Sequence, residues 1–184
     1  MWIIPECCST QLIAVKTILF DAKCEGKLLV IDRTGSRKSH ILRMIATFTG
    51  GIILVIVPLL ALTADQMAKI EEALQTHGSV EAHHLGDLST GDLQTIIQQM
   101  KAIDYDSYST LSLFTSPHYL TKDPRIISAL LDCHARQTLQ LVAIDKVHPY
   151  AQHGRSFREA MRILTTLFFA VVFLAPFICA IDQC

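Results

Sequence analysis

The residues best suited to chemistry in this sequence form a short polar turn, Thr34-Gly35-Ser36-Arg37-Lys38-Ser39. An apolar run, Leu28 to Ile31, precedes the turn, and apolar residues at helical spacing follow it. A turn between a strand and a helix presents backbone N–H groups and the positive end of the helix dipole to an anion. Lys38 could then reach the β- and γ-phosphates of a nucleotide, and the Ser39 hydroxyl could bind Mg²⁺. The pattern therefore predicts a phosphate-binding loop.

The loop departs from the usual plan at Arg37. A glycine is expected before the lysine, because a residue without a side chain lets the backbone lie close to the phosphates. The Arg37 side chain either obstructs that approach or turns outward and adds a charge contact. From the loop alone two interpretations stay open, a degenerate phosphate site and a chance resemblance in a surface turn.

Other chemically useful residues follow predicted strands. Asp145 comes directly after the apolar run Leu139 to Ile144, and Pro58 and Pro117 follow two further apolar runs. Ligands of a parallel sheet bind at the carboxyl ends of its strands. We therefore expect the phosphate loop and Asp145 to lie along one edge of a sheet. There Asp145 is either a Mg²⁺ ligand or a hydrogen-bonded carboxylate that ends a strand.

The elements that would position these residues alternate between strands and helices along the chain. Helices are predicted at 11–20, from the loop to 48, and at 59–75, 92–100, 124–135 and 156–168; strands are predicted at 28–31, 52–57, 80–85, 111–114, 139–144 and 170–175. Such alternation is typical of right-handed βαβ units. We predict an α/β domain with a mostly parallel sheet, helices on both faces, and a single domain spanning residues 1–184.

The composition excludes several classes of protein. Apolar residues make up 51% of the 184 residues and charged residues 18%, which favours a globular chain with a large core over disorder. The formal net charge of −1 means that any nucleic-acid binding needs a local basic patch. The six cysteines form no C-x-x-C pair and are interpreted as free thiols in a reducing compartment. His83-His84 and Cys133-His134 match no standard zinc spacing, and we interpret them as surface or core residues.

One uncharged segment, Leu164 to Ile181, approaches the length of a membrane span. The favoured interpretation is a helix end followed by a buried parallel strand that Pro176 ends, since such strands read as continuous apolar runs. The alternative is a membrane-associated protein, in which this segment would be helical. No signal peptide is recognised at the N-terminus, so we expect a nuclear or cytoplasmic, intracellular protein that is not secreted.

Taken in order, the motifs resemble the first RecA-like domain of superfamily 2 helicases, and the RecQ family in particular. The matching segments are Gln11, the loop 34–39, Val57 to Gln66, Thr115 to Leu120, the box Ile144 to His148, and Gln152 to Arg158. They cover nearly the whole chain. The resemblance implies a RecA-like P-loop fold and an ATP-dependent DNA helicase, a hydrolase of the DEAD/DEAH-box type that unwinds with 3′ to 5′ polarity.

The resemblance also implies the residues of the nucleotide site. Those that would bind ATP are Gln11, which would read adenine, and Thr34, Gly35, Ser36, Arg37, Lys38 and Ser39. Mg²⁺ would be held by Ser39 and Asp145. The catalytic box positions are Asp145, Lys146 and His148, where His148 would couple ATP to nucleic acid.

A DNA contact is implied after the box, in the segment that links DNA to the ATP site. The candidate residues are Arg155, Phe157, Arg158 and Arg162. The three arginines lie at spacings that place them near one helix face, where they could contact phosphates. The alternative is an ordinary solvated face, since Glu159 dilutes the positive charge. Single-stranded or forked DNA is the partner that the family implies.

The departures from the family pattern fall on the chemistry. Lys146 replaces the glutamate that polarises the attacking water, and a charged lysine has no acceptor for that task. Phe177-Ile178-Cys179 stands where we expect motif III, the segment that couples hydrolysis to DNA movement. The chain also ends where a second RecA-like domain should begin, so we expect that domain to be absent or to act in trans. The expected protein is hydrolysis-impaired; the alternative is a non-enzymatic module that binds a nucleotide or a partner.

Overall fold

A computed structural model of the protein describes residues 9–21, 27–33, 38–57, 80–104, 109–144 and 177–183. The strands are β1 (Lys27–Arg33), β2 (Gly51–Ile56), β3 (Val80–His84), β4 (Thr110–Thr115), β5 (Leu139–Ile144) and β6 (Phe177–Gln183). The helices are α1 (Ser9–Phe20), α2 (Ser39–Thr49), α3 (Thr90–Ala102), α4 (Pro117–Lys122) and α5 (Pro124–Ala135), with a 3-10 turn at Leu85–Asp87. The predicted helices at 59–75 and 156–168 lie outside the described residues.

The six strands form one sheet in the order β1-β6-β5-β2-β4-β3. Every pair among these strands is parallel. The central strands β2 and β4 are buried at every position, as expected for parallel strands covered on both faces. The predicted α/β fold with a mostly parallel sheet is confirmed.

Alternate residues of the central strands face two separate apolar cores. Ile52, Leu54 and Ile56 of β2 pack with α3 and α5 on one face of the sheet. Ile53 and Val55 pack with α1 and α2 on the other face. Side chains of a strand point alternately to opposite faces, so one apolar strand serves both cores. The prediction of helices on both faces is therefore confirmed.

Two glycines connect α2 to β2, between the predicted helix that ends at 48 and the predicted strand that begins at 52. Gly50 and Gly51 have φ angles of +61° and +74°, which residues other than glycine rarely adopt. The Gly51 N–H donates to the Ser109 carbonyl at 2.8 Å, and the Ile52 N–H donates to the Thr138 carbonyl at 2.8 Å. These bonds tie the start of β2 to the segments that enter β4 and β5.

Pro117 follows β4, as the sequence predicted. Pro117 is the first residue of α4, a position where the missing N–H of proline costs nothing. Ser116 caps this helix, since its hydroxyl accepts a hydrogen bond from the Tyr119 N–H at 3.2 Å. Neither α4 nor the 3-10 turn was predicted, because both are too short to show a hydrophobic period.

The apolar segment 164–181 is described only at its carboxyl end. Residues 177–181 lie in β6, so the alternative interpretation, in which the segment is a membrane-associated helix, is wrong for them. Among the helices that the structure describes, none is long and apolar enough to cross a membrane. β6 begins at Phe177, and the predicted strand 170–175 with Pro176 at its end lies outside the described residues.

A guanidinium joins the ends of α3 and α5. Arg136 donates to the carbonyl oxygens of Met100 at 2.8 Å, Ile103 at 3.0 Å and Lys101 at 3.2 Å. These carbonyls belong to the last turn of α3 and the residue after it, where a helix leaves acceptors without intrahelical partners. Burial raises the pKa of the neighbouring Cys133 thiol, which lies 3.4 Å from the same guanidinium. Cys133 is therefore a core residue held as a thiol.

Candidate functional site

The carboxyl ends of four strands meet at one edge of the sheet. Ile56 pairs with Ile144 on one side and with Thr115 on the other, and each of these is the last residue of its strand. β1 runs in the same direction and ends at Arg33. The segments that carry the phosphate loop, Pro58, Pro117 and Asp145 therefore leave the sheet at one edge, as predicted for these strand ends.

Lys38 lies at the start of α2, next to that edge. Only 8% of its surface is exposed. Its backbone is helical, and its carbonyl accepts a hydrogen bond from the Ile41 N–H at 3.0 Å. A positive charge at the positive end of a helix dipole is unfavourable by about 0.3–1 kcal/mol on its own. A negatively charged group at the same helix end offsets this cost.

The helix that follows Lys38 is fixed to the sheet by packing and by one buried hydrogen bond. Ile41 and Ile45 of α2 are almost fully buried in the core that includes Phe114 of β4. The Thr110 hydroxyl of β4 donates to the Ala46 carbonyl of α2 at 3.1 Å. The first turn of α2, which begins at Ser39, is therefore carried on a rigid element.

Gln11 lies on α1 and is 4% exposed. The buried face of α1, formed by Ala14, Val15 and Ile18, belongs to the same core as α2. Gln11, the residue predicted to read adenine, therefore lies on a helix that packs against α2, the helix that follows the predicted phosphate loop. A buried glutamine on an apolar face indicates a polar task or a polar partner.

The segment that stands where motif III is expected lies in β6. Its residue Cys179 pairs with Ile144 of β5 and with Leu29 of β1. Phe177-Ile178-Cys179 therefore lies level with the last residues of β5, at the start of β6 and not at its carboxyl end. Beyond Leu29 and Cys179, β1 and β6 each continue for four more residues, to Arg33 and Gln183. This extension is about 13 Å long.

The sequence reasoning gave no role to Asp182, which the register of β6 places opposite Asp32 of β1. The signal for this pair was available in the sequence, since each aspartate follows an apolar run, Leu28 to Ile31 and Phe177 to Ile181. Both runs belong to parallel strands, and so each aspartate lies near the carboxyl end of its strand.

Comparison with known proteins finds relatives of this chain. No protein-family model matches the chain. The ATP-dependent DNA helicase Q-like 2 of Arabidopsis thaliana is 30% identical over 140 residues, which are 76% of this chain and 19% of that protein. The RecQ-like DNA helicase BLM of Xenopus laevis is 27% identical over 160 residues, 86% of this chain and 11% of that protein. The chain is a RecQ-like helicase domain.

A solved structure shows the same fold. The DUF1998 helicase MrfA, determined bound to DNA, superposes on this RecQ-like domain with a TM-score of 0.62 and 20% sequence identity. The match covers 95% of this chain and 24% of that chain. At this identity the likeness shows the RecA-like fold alone. The RecQ-like domain spans about a fifth of the length of the Arabidopsis relative.

Several predicted site residues of the RecQ-like domain lie outside the described residues, and their roles stay predictions. They are Thr34, Gly35, Ser36 and Arg37 of the loop, Asp145, Lys146 and His148 of the box, and Arg155, Phe157, Arg158 and Arg162 of the predicted DNA contact. The structure brings Lys38, the start of α2 and the strand ends to one edge. Within the described residues there is no cluster of three or more metal-ligating side chains.

The segment after β4, which resembles motif Ib, leads to a local ion pair between Asp123 and Arg125. Asp123 caps α5 by accepting the Arg125 N–H at 3.0 Å, and its carboxylate also accepts from the Arg125 guanidinium at 2.7 Å. The hydrogen bond from the Arg125 side chain holds the pKa of the Asp123 carboxyl below its ordinary value. The same pair raises the pKa of the Arg125 guanidinium.

The substitution Asp123→Ala is expected to lower the free energy of unfolding by about 1 kcal/mol at pH 7, because α5 loses its cap. A depressed pKa means that this contribution is present above pH about 4 and is lost as the pH falls through the folded-state pKa. Urea unfolding between pH 7 and pH 2.5 measures the difference. Asp132→Ala, an exposed change on the same helix, is the control. If Asp123→Ala lowers the free energy of unfolding by the same amount at pH 7 and at pH 2.5, the prediction is contradicted.

Proposed function

We propose that this chain is the nucleotide-binding domain of a RecQ-like, ATP-dependent DNA helicase, and that it binds ATP with Mg²⁺. The observation that carries the proposal is the buried Lys38 at the start of α2, directly beyond strand β1. A buried lysine at a helix N-terminus is typical of a site for a polyphosphate. Relatives whose names include an ATP-dependent DNA helicase support the choice of ATP as the ligand.

In this proposal each residue has a defined part. Lys38 neutralises the β- and γ-phosphates, and the first N–H groups of α2 donate to them. Ser39 and Asp145 would hold Mg²⁺, whose chemistry is to neutralise charge on the phosphate oxygens. Gln11, carried by α1, reads the adenine base.

We further propose that hydrolysis is impaired. A general base contributes a factor of about 10² to 10⁴ to the rate, and Lys146 cannot act as one while it is charged. This residue favours a second candidate function, a non-enzymatic module that binds a nucleotide without turnover. Phosphate release by the wild-type chain and by Lys146→Glu, both mixed with a second RecA-like domain, separates the two. A wild-type rate equal to that of Lys146→Glu contradicts the proposed impairment.

DNA is the proposed partner, with Arg155, Phe157, Arg158 and Arg162 as its contacts. Three arginines near one helix face would supply the local basic patch that a chain of net charge −1 needs. A RecQ-like protein that contacts DNA would act in the nucleus or the cytoplasm. Unwinding with 3′ to 5′ polarity belongs to the proposal only in combination with a second RecA-like domain.

Titration with Mg²⁺-ATP tests the proposed function. The wild-type chain is expected to show saturable binding, and Lys38→Ala is expected to weaken it at least tenfold, which is about 1.4 kcal/mol of binding free energy. Lys101→Ala, an exposed lysine at the end of α3, is the matched control and keeps the wild-type affinity. Equal affinities for Lys38→Ala and wild type, or no binding at millimolar ATP, contradict the proposal.

A further inference from the structure

An apolar surface on β1 is left half exposed. Leu29 is 54% exposed and Ile31 is 50% exposed, whereas Val30 between them is buried in the core beneath α1 and α2. Because alternate residues of a strand lie on opposite faces, Leu29 and Ile31 lie on the face that carries α3 and α5, the α3–α5 face. Of the residues that the structure describes, none from β1 belongs to the core that α3 and α5 form.

The same surface continues onto β6 and reaches β5. Leu29 and Ile31 pair in register with Cys179 and Ile181 of β6, so these positions lie on the α3–α5 face as well. Cys179 also pairs with Ile144 of β5, which packs at the margin of the core under α3 and α5. A sheet buries its apolar face against another layer of secondary structure. The α3–α5 face of β1 and β6 therefore calls for a covering element.

The described crossover connections show which face a connection from β5 to β6 would take. From β1 to β2 the chain crosses the sheet in one direction, and α2 lies on the face opposite to α3 and α5. From β3 to β4 and from β4 to β5 the chain crosses in the other direction, and α3 and α5 share their face. The three connections therefore have one hand, as expected for parallel strands. The step from β5 to β6 has the direction of the last two, so a connection of the same hand would run over the α3–α5 face.

The sequence between β5 and β6 contains an apolar pattern that suits this surface. In the predicted helix 156–168, Met161, Leu164 and Phe168 recur at the spacing of one helix side. A helix is about 10 Å wide, which is the width of two strands about 4.8 Å apart. Since α5 already packs on β5, those two strands are β6 and β1. We propose that the segment 156–168 docks its apolar side on Leu29 and Ile31.

This docking has a consequence for the proposed DNA contact, on which the consequence rests. At about 100° per residue, Arg155, Arg158 and Arg162 fall together on the side of the helical pattern opposite to Leu164. A helix docked through Leu164 turns these arginines away from the sheet. DNA phosphates would then be bound on the outer surface of the α3–α5 side of the domain.

Methyl NMR of the full chain tests the docking. Nuclear Overhauser effects are expected between the methyl groups of Leu29 and Ile31 and the side chains of Met161, Leu164 and Phe168. A soluble paramagnetic probe is expected to broaden the Ile31 methyl resonances less than those of Ile13, a control that is 64% exposed on α1. The absence of these Overhauser effects overturns the proposal, and so does equal broadening of Ile31 and Ile13. If they are absent and the chain sediments as a dimer that shields Ile31, a second copy covers the face instead.

DNA titration tests the consequence separately. The double substitution Arg158→Ala and Arg162→Ala is expected to weaken binding of single-stranded DNA at least about tenfold and to reduce its salt dependence, while the Overhauser effects at Ile31 persist. Lys16→Ala, an exposed change on α1, keeps the wild-type affinity. Wild-type DNA affinity in the arginine variant overturns the outward basic surface and the proposed DNA contact, whereas the docking is overturned only by the NMR result.

Discussion

Replacing Gly51 with alanine is expected to lower the free energy of unfolding by about 3 kcal/mol or more. The φ angle of +74° is unfavourable for any side chain. An added Cβ would also lie 2.7 Å from the Gln140 Cγ and 2.8 Å from the Thr138 carbonyl oxygen. That carbonyl is backbone and accepts the Ile52 N–H, so relief of the clash would break the entry to β2.

Gly91→Ala is the matched control for this prediction. Gly91 lies in the first turn of α3, and the nearest atom to its added Cβ is the Ser89 Oγ at 3.8 Å. Alanine there is expected to raise the free energy of unfolding by up to about 1 kcal/mol, because it is the better helix former. Urea unfolding measures the free energy of unfolding of both variants, which is expected to fall for Gly51→Ala and to rise for Gly91→Ala. A Gly51→Ala variant within about 0.5 kcal/mol of wild type contradicts the described α2–β2 connection.

Phe114→Ala is expected to cost about 3–5 kcal/mol. The ring is 1% exposed and lies in the core between the sheet and the helices α1 and α2. Its removal leaves a cavity under the helix that begins at Ser39. If that helix supports the nucleotide, the variant should also bind Mg²⁺-ATP more weakly under conditions in which it is still folded.

Phe20→Ala makes the same chemical change at a site that is 79% exposed. Its expected effect is within about 0.5 kcal/mol, as for most surface substitutions. Thermal and urea unfolding of Phe114→Ala and Phe20→Ala measure the effect of burial alone, because both substitutions delete the same atoms. Similar costs for Phe114→Ala and Phe20→Ala are incompatible with the described core.

Sequence patterns predicted the elements that have clear local boundaries. α5 and β5 lie at the predicted 124–135 and 139–144, because Pro124 marks the helix start and a polar turn separates the two. The short helix α4 was missed because six residues carry less than two helical turns of pattern. The common edge of the strand ends followed from parallel pairing alone.

Other features depend on pairing between distant strands, which no local pattern contains. The four-residue extension of β1 and β6 beyond β5 is set by the register of Leu29, Ile144 and Cys179. For the same reason the level of Phe177-Ile178-Cys179 in the sheet could not be predicted.

The pairing of β1 has a consequence for the order of events during synthesis. Among the described strands its only neighbour is β6, and the paired residues Lys27 and Phe177 are 150 positions apart. β2, β4 and β5 are therefore translated before β6, the strand that gives β1 its neighbour. Contacts of such high sequence separation form late, because loop closure precedes any gain from pairing. Nucleotide affinity should accordingly be acquired as one of the last steps of folding, after the central strands have closed.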